Sequence, residues 1–196
     1  MDEATIIEVL KNWNPWERKI DAGIKRKKYI EKIYPYLERK EVIVLKGIRR
    51  SGKSTIIKQL IFELMAKGIG KEQILYLNLE DYNFANDLGI RLFDDVFSAY
   101  KSYSKNTGKV YFFIDEAQKI DGWEKWVRTK YELNESIKFI VSGSSASLLS
   151  KELSALLTGR NLSFRIMPLS FAEYLEFSDV KSLEGYMEFG GFPEVV

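Results

Sequence analysis

The sequence predicts an α/β fold in which a parallel sheet is covered by helices on both faces. Two observations predict it. From Glu41 onward, short runs rich in β-branched and aromatic residues alternate with stretches whose apolar residues recur at helical spacing, the pattern of successive βα units. The runs are also almost continuously apolar, as strands buried on both faces are. Crossovers between parallel strands are then right-handed.

Residues 1–40 precede the sheet and hold Trp13, Trp16, Tyr29, Tyr34 and Tyr36 around two prolines. The first strand is Val42–Lys46. Ile56, Ile57, Leu60, Ile61 and Leu64 then form an apolar helical stripe, which ends near Lys67-Gly68, where glycine can cap a helix C-terminus. A second strand spans Ile74–Leu79. A helix from Asp87 to about Tyr103 presents Leu88, Leu92, Phe93, Val96, Phe97 and Tyr100 on one face, and Asn106-Thr107-Gly108 turns the chain. The remaining strands are Val110–Ile114, Ile137–Val141 and Leu162–Ile166, separated by helices over Gly122–Leu133 and Ser145–Thr158. In the tail, Ser170-Phe171-Ala172-Glu173 reads as a capping box opening a short helix. A second short helix over about Leu183–Phe189 stops at Gly190-Gly191. The apolar ending Gly191-Phe192-Pro193-Glu194-Val195-Val196 is either a tail that docks or a boundary inside a larger architecture. The division expected is a leading segment over 1–40, a core over 41–168 and a helical beginning of a further unit over 169–196.

Composition narrows the chemistry. The 196 residues are 45% hydrophobic and 30% charged, a globular balance. Neither Cys nor His occurs, which removes disulfides, thiol catalysis and imidazole acid–base work. Catalysis is left to carboxylates, hydroxyls, Lys, Arg or a hard cation held by oxygen. No apolar run approaches the roughly 20 residues of a membrane helix, and Met1-Asp2-Glu3-Ala4 lacks a basic start and apolar stretch; the expectation is a cytoplasmic protein. Arg18 to Lys53 holds thirteen Lys or Arg against four acids. Within it, the run Lys25-Arg26-Lys27-Lys28 is either a contact for nucleic acid or an acidic partner, or a solvated face, the favoured reading.

Between the first strand and its helix lies Gly47-Ile48-Arg49-Arg50-Ser51-Gly52-Lys53-Ser54, which fits G-x-x-x-x-G-K-[ST]. A strand, a glycine-bounded turn and a helix N-terminus make an anion site, because the amides from about Ser51 to Thr55 lack helical partners and carry the positive end of the dipole. Gly47 and Gly52 admit backbone angles and close phosphate approach that a Cβ forbids. Lys53 is assigned to the β- and γ-phosphates and the Ser54 hydroxyl to magnesium. Arg49 and Arg50 either add charge near the phosphates or face solvent, and the leading aromatics either cover the base of a bound nucleotide or pin their segment to the core.

The strand Val110–Ile114 ends in Asp115-Glu116. After a P-loop, an acidic pair at such a strand tip reads as Asp115 holding magnesium and Glu116 orienting or deprotonating the attacking water. The next strand ends in Ser142-Gly143-Ser144-Ser145, where a hydroxyl can sense the terminal phosphate; Ser144 is the first choice, Ser142 the second, and one serine is available to cap the following helix. Arg160 is either a helix-end cation or an arginine finger reaching a nucleotide on a neighbouring subunit, an effect of roughly 10³–10⁵ in rate.

These pieces together resemble the prokaryotic AAA-type (AAA+/STAND-like) P-loop ATPases whose core precedes a C-terminal domain of unknown function. The resemblance is carried by Gly47 to Thr55, Tyr76-Leu77-Asn78-Leu79-Glu80-Asp81, Phe113-Ile114-Asp115-Glu116-Ala117-Gln118, Gly122-Trp123-Glu124, Ser142-Gly143-Ser144-Ser145 with Leu148-Leu149-Ser150, Leu157-Thr158-Gly159-Arg160, Pro168-Leu169-Ser170-Phe171 with Glu173-Tyr174-Leu175, and Gly190-Gly191-Phe192-Pro193-Glu194. It covers about residues 20–196. It implies a three-layer αβα P-loop NTPase fold with a five-stranded parallel sheet of order 5-1-4-3-2 and a short helical C-terminal appendage. It implies ATP with Mg2+ as ligands, Glu116 as the catalytic glutamate, Ser144 near the sensor position and Arg160 near the finger position of a homo-oligomer. Relatives continue into a lid and a further domain, and the chain stops at that threshold. The expected function is Mg-dependent ATP hydrolysis coupled to conformational change, on a protein or nucleic-acid client that the sequence does not identify. A slow nucleotide-dependent switch and a small-molecule kinase are the alternatives, the kinase disfavoured because no arginine-rich lid segment follows the third strand.

Overall fold

The computed structural model describes residues 1–133, 136–144 and 159–196. Five strands form one parallel sheet: β1 (Val42–Gly47), β2 (Ile74–Asn78), β3 (Val110–Asp115), β4 (Ile137–Ser144) and β5 (Asn161–Arg165). Their order is β2-β3-β4-β1-β5, which is the expected 5-1-4-3-2 read from the other edge. The ladder between β1 and β4 pairs Leu45 with Ser142 and Gly47 with Ser144, and β3 pairs Ile114 with Val141.

The continuously apolar strands divide their side chains between two cores, because successive residues point to opposite faces. Val42 and Val44 of β1, with Leu75, Leu77, Phe112, Ile114, Phe139 and Val141, pack under helices α1 (Glu3–Lys11), α4 (Arg91–Ser104) and α5 (Trp123–Glu132). Ile43 and Leu45, with Tyr76, Phe113 and Ile140, pack under α2 (Lys27–Ile33) and α3 (Lys53–Ala66). Each fully buried side chain of this size contributes about 1.5–3 kcal/mol of transfer free energy, so the two layers hold the strand tips in fixed register.

The leading segment closes the β2 edge. Asn14 is fully buried. Its Nδ2 donates to the Tyr76 carbonyl at 2.9 Å and its Oδ1 accepts from the Tyr76 N–H at 2.7 Å, so one amide side chain supplies what a further strand would. The Trp16 indole N–H donates to the Ile74 carbonyl at 2.9 Å, and its ring stacks on Tyr100. The Trp13 indole N–H donates to Asp81 at 2.6 Å. Both tryptophans thereby anchor the leading segment to the core. An unpaired edge strand is otherwise a template for aggregation.

Several boundaries depart from expectation. The helix expected from Asp87 begins only at Arg91; a short 3-10 turn over Tyr82–Phe84, capped by Asp81, and the bonds from the Asp87 N–H to the Phe84 carbonyl and from the Gly89 N–H to the Asp87 carbonyl precede it. Strand β4 extends three residues beyond the expected Val141, to Ser144. The run Lys25–Lys28 is not a uniformly solvated face, since Arg26 is 2% exposed. The helix expected over Ser145–Thr158 lies outside the described residues. The capping box of α6 (Phe171–Phe177) forms as expected, as does α7 (Leu183–Phe189). The tail docks back on the fold, with the Leu169 N–H donating to the Gly191 carbonyl at 2.6 Å.

Candidate nucleotide site

The turn between β1 and α3 has a backbone few sequences could adopt. Gly52 caps α3 in the left-handed region at φ 91°, and Arg50 is left-handed as well at φ 64°. At Gly47 a Cβ would sit 2.4 Å from the Ile166 carbonyl oxygen and 2.6 Å from Ser51 Oγ, so the residue that follows β5 and the loop itself exclude any larger residue. The first N–H groups of α3 point into the concavity without intrahelical partners. The ammonium of Lys53, 4% exposed, lies 3.3 Å from the Gly47 carbonyl, 3.2 Å from the Ile48 carbonyl and 3.3 Å from Glu116 Oε1. A cavity of about 420 Å³ opens here. Arg49, Arg50, Gly52, Lys53, Ser54 and Thr55 line it from the loop, Glu80 and Glu116 from the strand tips, and Pro193 and Glu194 from the tail.

Across the cavity, β3 and β4 bring the acidic pair and the serines together. Asp115 is buried, and both its carboxylate oxygens accept hydroxyls: one from Ser142, the other from Tyr76 at 2.9 Å. Burial, reinforced by the Asp115 charge, pushes the Tyr76 phenol well above its usual range, so it remains a donor. Glu116 occupies the left-handed region at φ 55°, a conformation costing about 1–2 kcal/mol for a residue with a Cβ. Its N–H donates to Ser142 Oγ at 3.2 Å, and its carboxylate accepts from the Gln118 amide. Ser142, the second choice among the serines, thus bonds the Asp115 carboxylate and the Glu116 backbone N–H. Ser144, the first choice, is half-buried at the end of β4 in register with Gly47.

Arg160 is not in this cavity. It precedes β5, its carbonyl accepting from the Val42 N–H at 2.8 Å, whereas the loop follows Gly47 at the other end of β1. At about 3.3 Å per residue the two ends are about 17 Å apart. Its guanidinium lies 3.3 Å from Glu132, which Arg128 also binds at 2.9 Å. Hydrogen bonding to Arg128 holds the Glu132 carboxyl below its usual range.

Sequence reasoning gave no role to Glu80, Pro193 and Glu194, although all three lie in segments that carry the resemblance. Glu80 pairs with Arg49 at 3.3 Å and Glu194 with Arg50 at 3.2 Å. Arg26 was passed over as one cation in a basic run, and nothing in that run marks it as buried.

A second cavity of about 530 Å³ lies between residues 19–25 and the Gln59, Phe62 and Glu63 side of α3. Gln59 fastens its wall, donating to the Ala22 carbonyl at 2.9 Å and the Ile24 carbonyl at 2.7 Å. At Gly23 a Cβ would lie 4.0 Å from the Thr55 methyl, so this cavity adjoins the first.

The residues present fit a magnesium–triphosphate ligand. The cradle has no room for a Cβ at Gly47, a buried ammonium is held at the loop by two carbonyls and the Glu116 carboxylate, and Ser51 Oγ is buried with no hydrogen-bond partner among the described residues. Ser54 lines the cavity, and Asp115 offers a buried carboxylate at the neighbouring strand tip. No cluster of three or more acidic ligands occurs among the described residues, so a hard cation here would depend on phosphate oxygens for most of its shell. No helix among the described residues is long and apolar enough to cross a membrane.

A family model described as an AAA domain matches residues 39–175. An uncharacterized protein of Haemophilus influenzae is 36% identical over 184 residues, which are 89% of this chain and 45% of that protein. The chain spans 36–45% of the length of the curated relatives it matches. Among solved structures, Cdc6p from Pyrobaculum aerophilum superposes with a TM-score of 0.53 at 12% identity, over 90% of this chain and 52% of that one. The S. cerevisiae Hsp104:casein complex superposes with a TM-score of 0.55 at 14% identity, over 94% of this chain and 33% of that one. At such identities these two likenesses concern the fold.

Proposed function

The chain belongs to the AAA-domain family of P-loop ATPases, and from that premise we propose that it binds ATP with Mg2+ at the β1–α3 loop and hydrolyses it, coupling nucleotide state to conformation. The observation that carries this reading is the placement of Lys53. A buried ammonium, held by two loop carbonyls and the Glu116 carboxylate, stands where a polyphosphate would compete for it. Phosphate oxygens draw Lys53 off Glu116, and the freed carboxylate becomes the base that accepts a proton from water. Ser51 and the amides up to Thr55 donate to the phosphates. Magnesium, when bound, supplies a Lewis acid that spreads phosphate charge; Ser54 and Asp115 are the residues that hold it, with Ser142 and Tyr76 fixing the Asp115 oxygens. Ser144 senses the terminal phosphate, Arg49 and Arg50 add charge at the rim, and the base extends into the adjoining cavity beside Gly23. Arg160, at the other end of the sheet, acts as a finger on a second copy. In domain terms, 1–40 braces the core of 41–168, and 169–196 is the start of a helical lid or of a following domain.

Glu116→Gln tests the reading directly. ATP affinity is expected to hold within about threefold while phosphate release falls about 10²–10⁴-fold, the usual contribution of a positioned base. The remoteness of Arg160 favours one second reading, a switch with little turnover when alone. Equal slow release from both proteins would establish the switch; release that depends on an added acceptor would instead mean a kinase.

A further inference from the structure

The Arg26 side chain has five polar or ring contacts on three separate parts of the chain. Its Nη1 donates to the Ser51 carbonyl, within the phosphate loop, at 2.9 Å. Nε and Nη2 donate to the two oxygens of Glu173 at 2.8 and 3.1 Å, a bidentate fork. Nη2 also reaches the Pro168 carbonyl at 3.5 Å, and the guanidinium lies 4.5 Å over the Tyr29 ring. Its backbone N–H donates to Gln59 of α3 at 3.0 Å. Glu173 is in turn the capping-box residue of α6 and accepts from the Ser170 N–H at 3.0 Å. The Pro168–Glu173 stretch is tied to the tail that lines the cavity, because Tyr186 donates to the Leu169 carbonyl at 2.9 Å and Leu169 N–H donates to Gly191.

We propose that Arg26 is a positioning residue, a buried strut that sets the curvature of the phosphate loop through the Ser51 carbonyl and links it to the C-terminal segment through Glu173. Stripped of its partners a buried guanidinium is costly, so the loop, α6 and the leading segment hold it together or release it together. The Ser51 carbonyl is the outward side of the peptide whose neighbours' amides form the anion cradle, so its anchoring presets those amides before a ligand arrives. Linkage then runs both ways: a nucleotide that tightens the loop tightens α6, and whatever displaces α6 weakens the nucleotide. The proposal rests on the nucleotide reading only for the identity of the ligand; the strut itself is a property of the chain without ligand. Lysine at position 26 would keep the charge but lose the fork.

Amide hydrogen exchange and nucleotide titration of the whole chain test it together. In the ligand-free protein, Glu173→Gln is expected to speed exchange over residues 48–58 about tenfold while β3 and α4 keep their rates. The same substitution should raise the Kd for ADP about tenfold, with kcat for ATP at saturation changing less than twofold. Arg26→Lys should match it, and the double variant should be no worse than Arg26→Lys alone. The unsubstituted chain supplies a readout that needs no variant: saturating ADP should slow exchange over residues 169–177 several-fold. Unchanged loop exchange in Glu173→Gln, additive effects in the double variant, or no ADP protection at 169–177 in a chain that binds ADP would each overturn the strut and leave the ATPase reading standing. Faster loop exchange in Glu173→Gln from a chain that ignores nucleotides would overturn the ATPase reading and leave the strut.

Discussion

At the scale of single residues, the proposed chemistry depends on which atoms face which. Lys53→Ala removes the ammonium that stands opposite Glu116 and should weaken ATP binding by about two orders of magnitude or more, about 2.7 kcal/mol of binding free energy; an unchanged Kd by calorimetry would refute the phosphate-loop assignment. The two serines should separate by phenotype. Ser142→Ala strips Asp115 of a donor and should raise the Mg2+ concentration needed for half-maximal turnover several-fold. Ser144→Ala, two residues further along β4 and paired with Gly47, should lower turnover with the Mg2+ requirement kept. A Mg2+ titration of both variants decides the matter, and identical profiles would remove the division of roles. The loop residues and the acidic pair were legible as a pattern because phosphate chemistry restricts residue type at fixed spacing. Which serine meets Asp115 was not, since it depends on a β3–β4 register that no local signal encodes.

At the scale of elements, the β2 edge and the bottom of β4 are where side chains stand in for backbone. Asn14→Ala leaves the Tyr76 N–H and C=O buried without the side-chain partners they have now. The expected cost is about 1–3 kcal/mol, read as a lower urea midpoint with an unchanged slope. Lys138, buried in β4, donates to the Arg39 carbonyl at 2.8 Å and to the Glu41 carbonyl. Burial, with nearby Lys109, pushes its ammonium down to about 8, against the opposing pull of Glu41 and Glu38. The unfolded chain therefore holds the extra proton between pH about 8 and the ordinary lysine value of 10.5, and stability rises with pH through that window. Relative to Lys138→Met, the native chain should gain stability from pH 8 to 10.5, and parallel denaturation curves across it would contradict the burial penalty. The strands were readable because two-sided burial writes a continuous apolar run. The start of α4 was not, because backbone turns at Asp87 and Gly89 precede it and leave no mark in the apolar spacing. The burial of Arg26 was equally hidden, since its partner Glu173 lies 147 positions away.

At the scale of the whole molecule, the sheet separates Arg160 from the loop by the length of β1, and the Glu132 carboxylate holds its side chain at the other end of the sheet. If the proposed finger role holds, an arginine so placed acts on a neighbour's nucleotide rather than on its own. Specific ATPase activity should therefore rise with protein concentration, and Arg160→Ala should flatten that rise while leaving ATP affinity within about twofold; concentration-independent turnover in the native chain would exclude the finger. The tail adds a second whole-molecule effect, since Pro193 and Glu194 complete the cavity wall from the far end of the chain. By itself the sequence determined the strand–loop–helix anion cradle, the acidic pair, the parallel sheet and the family, because each follows from short-range periodicity or from residue types at fixed spacing. Only the tertiary structure decided that Ser142 binds Asp115, that Arg26 joins the loop to α6, that the tail closes the pocket and that Arg160 faces away from it. Those contacts join residues far apart in the chain, and the burial that makes them strong exists only once the layers have packed.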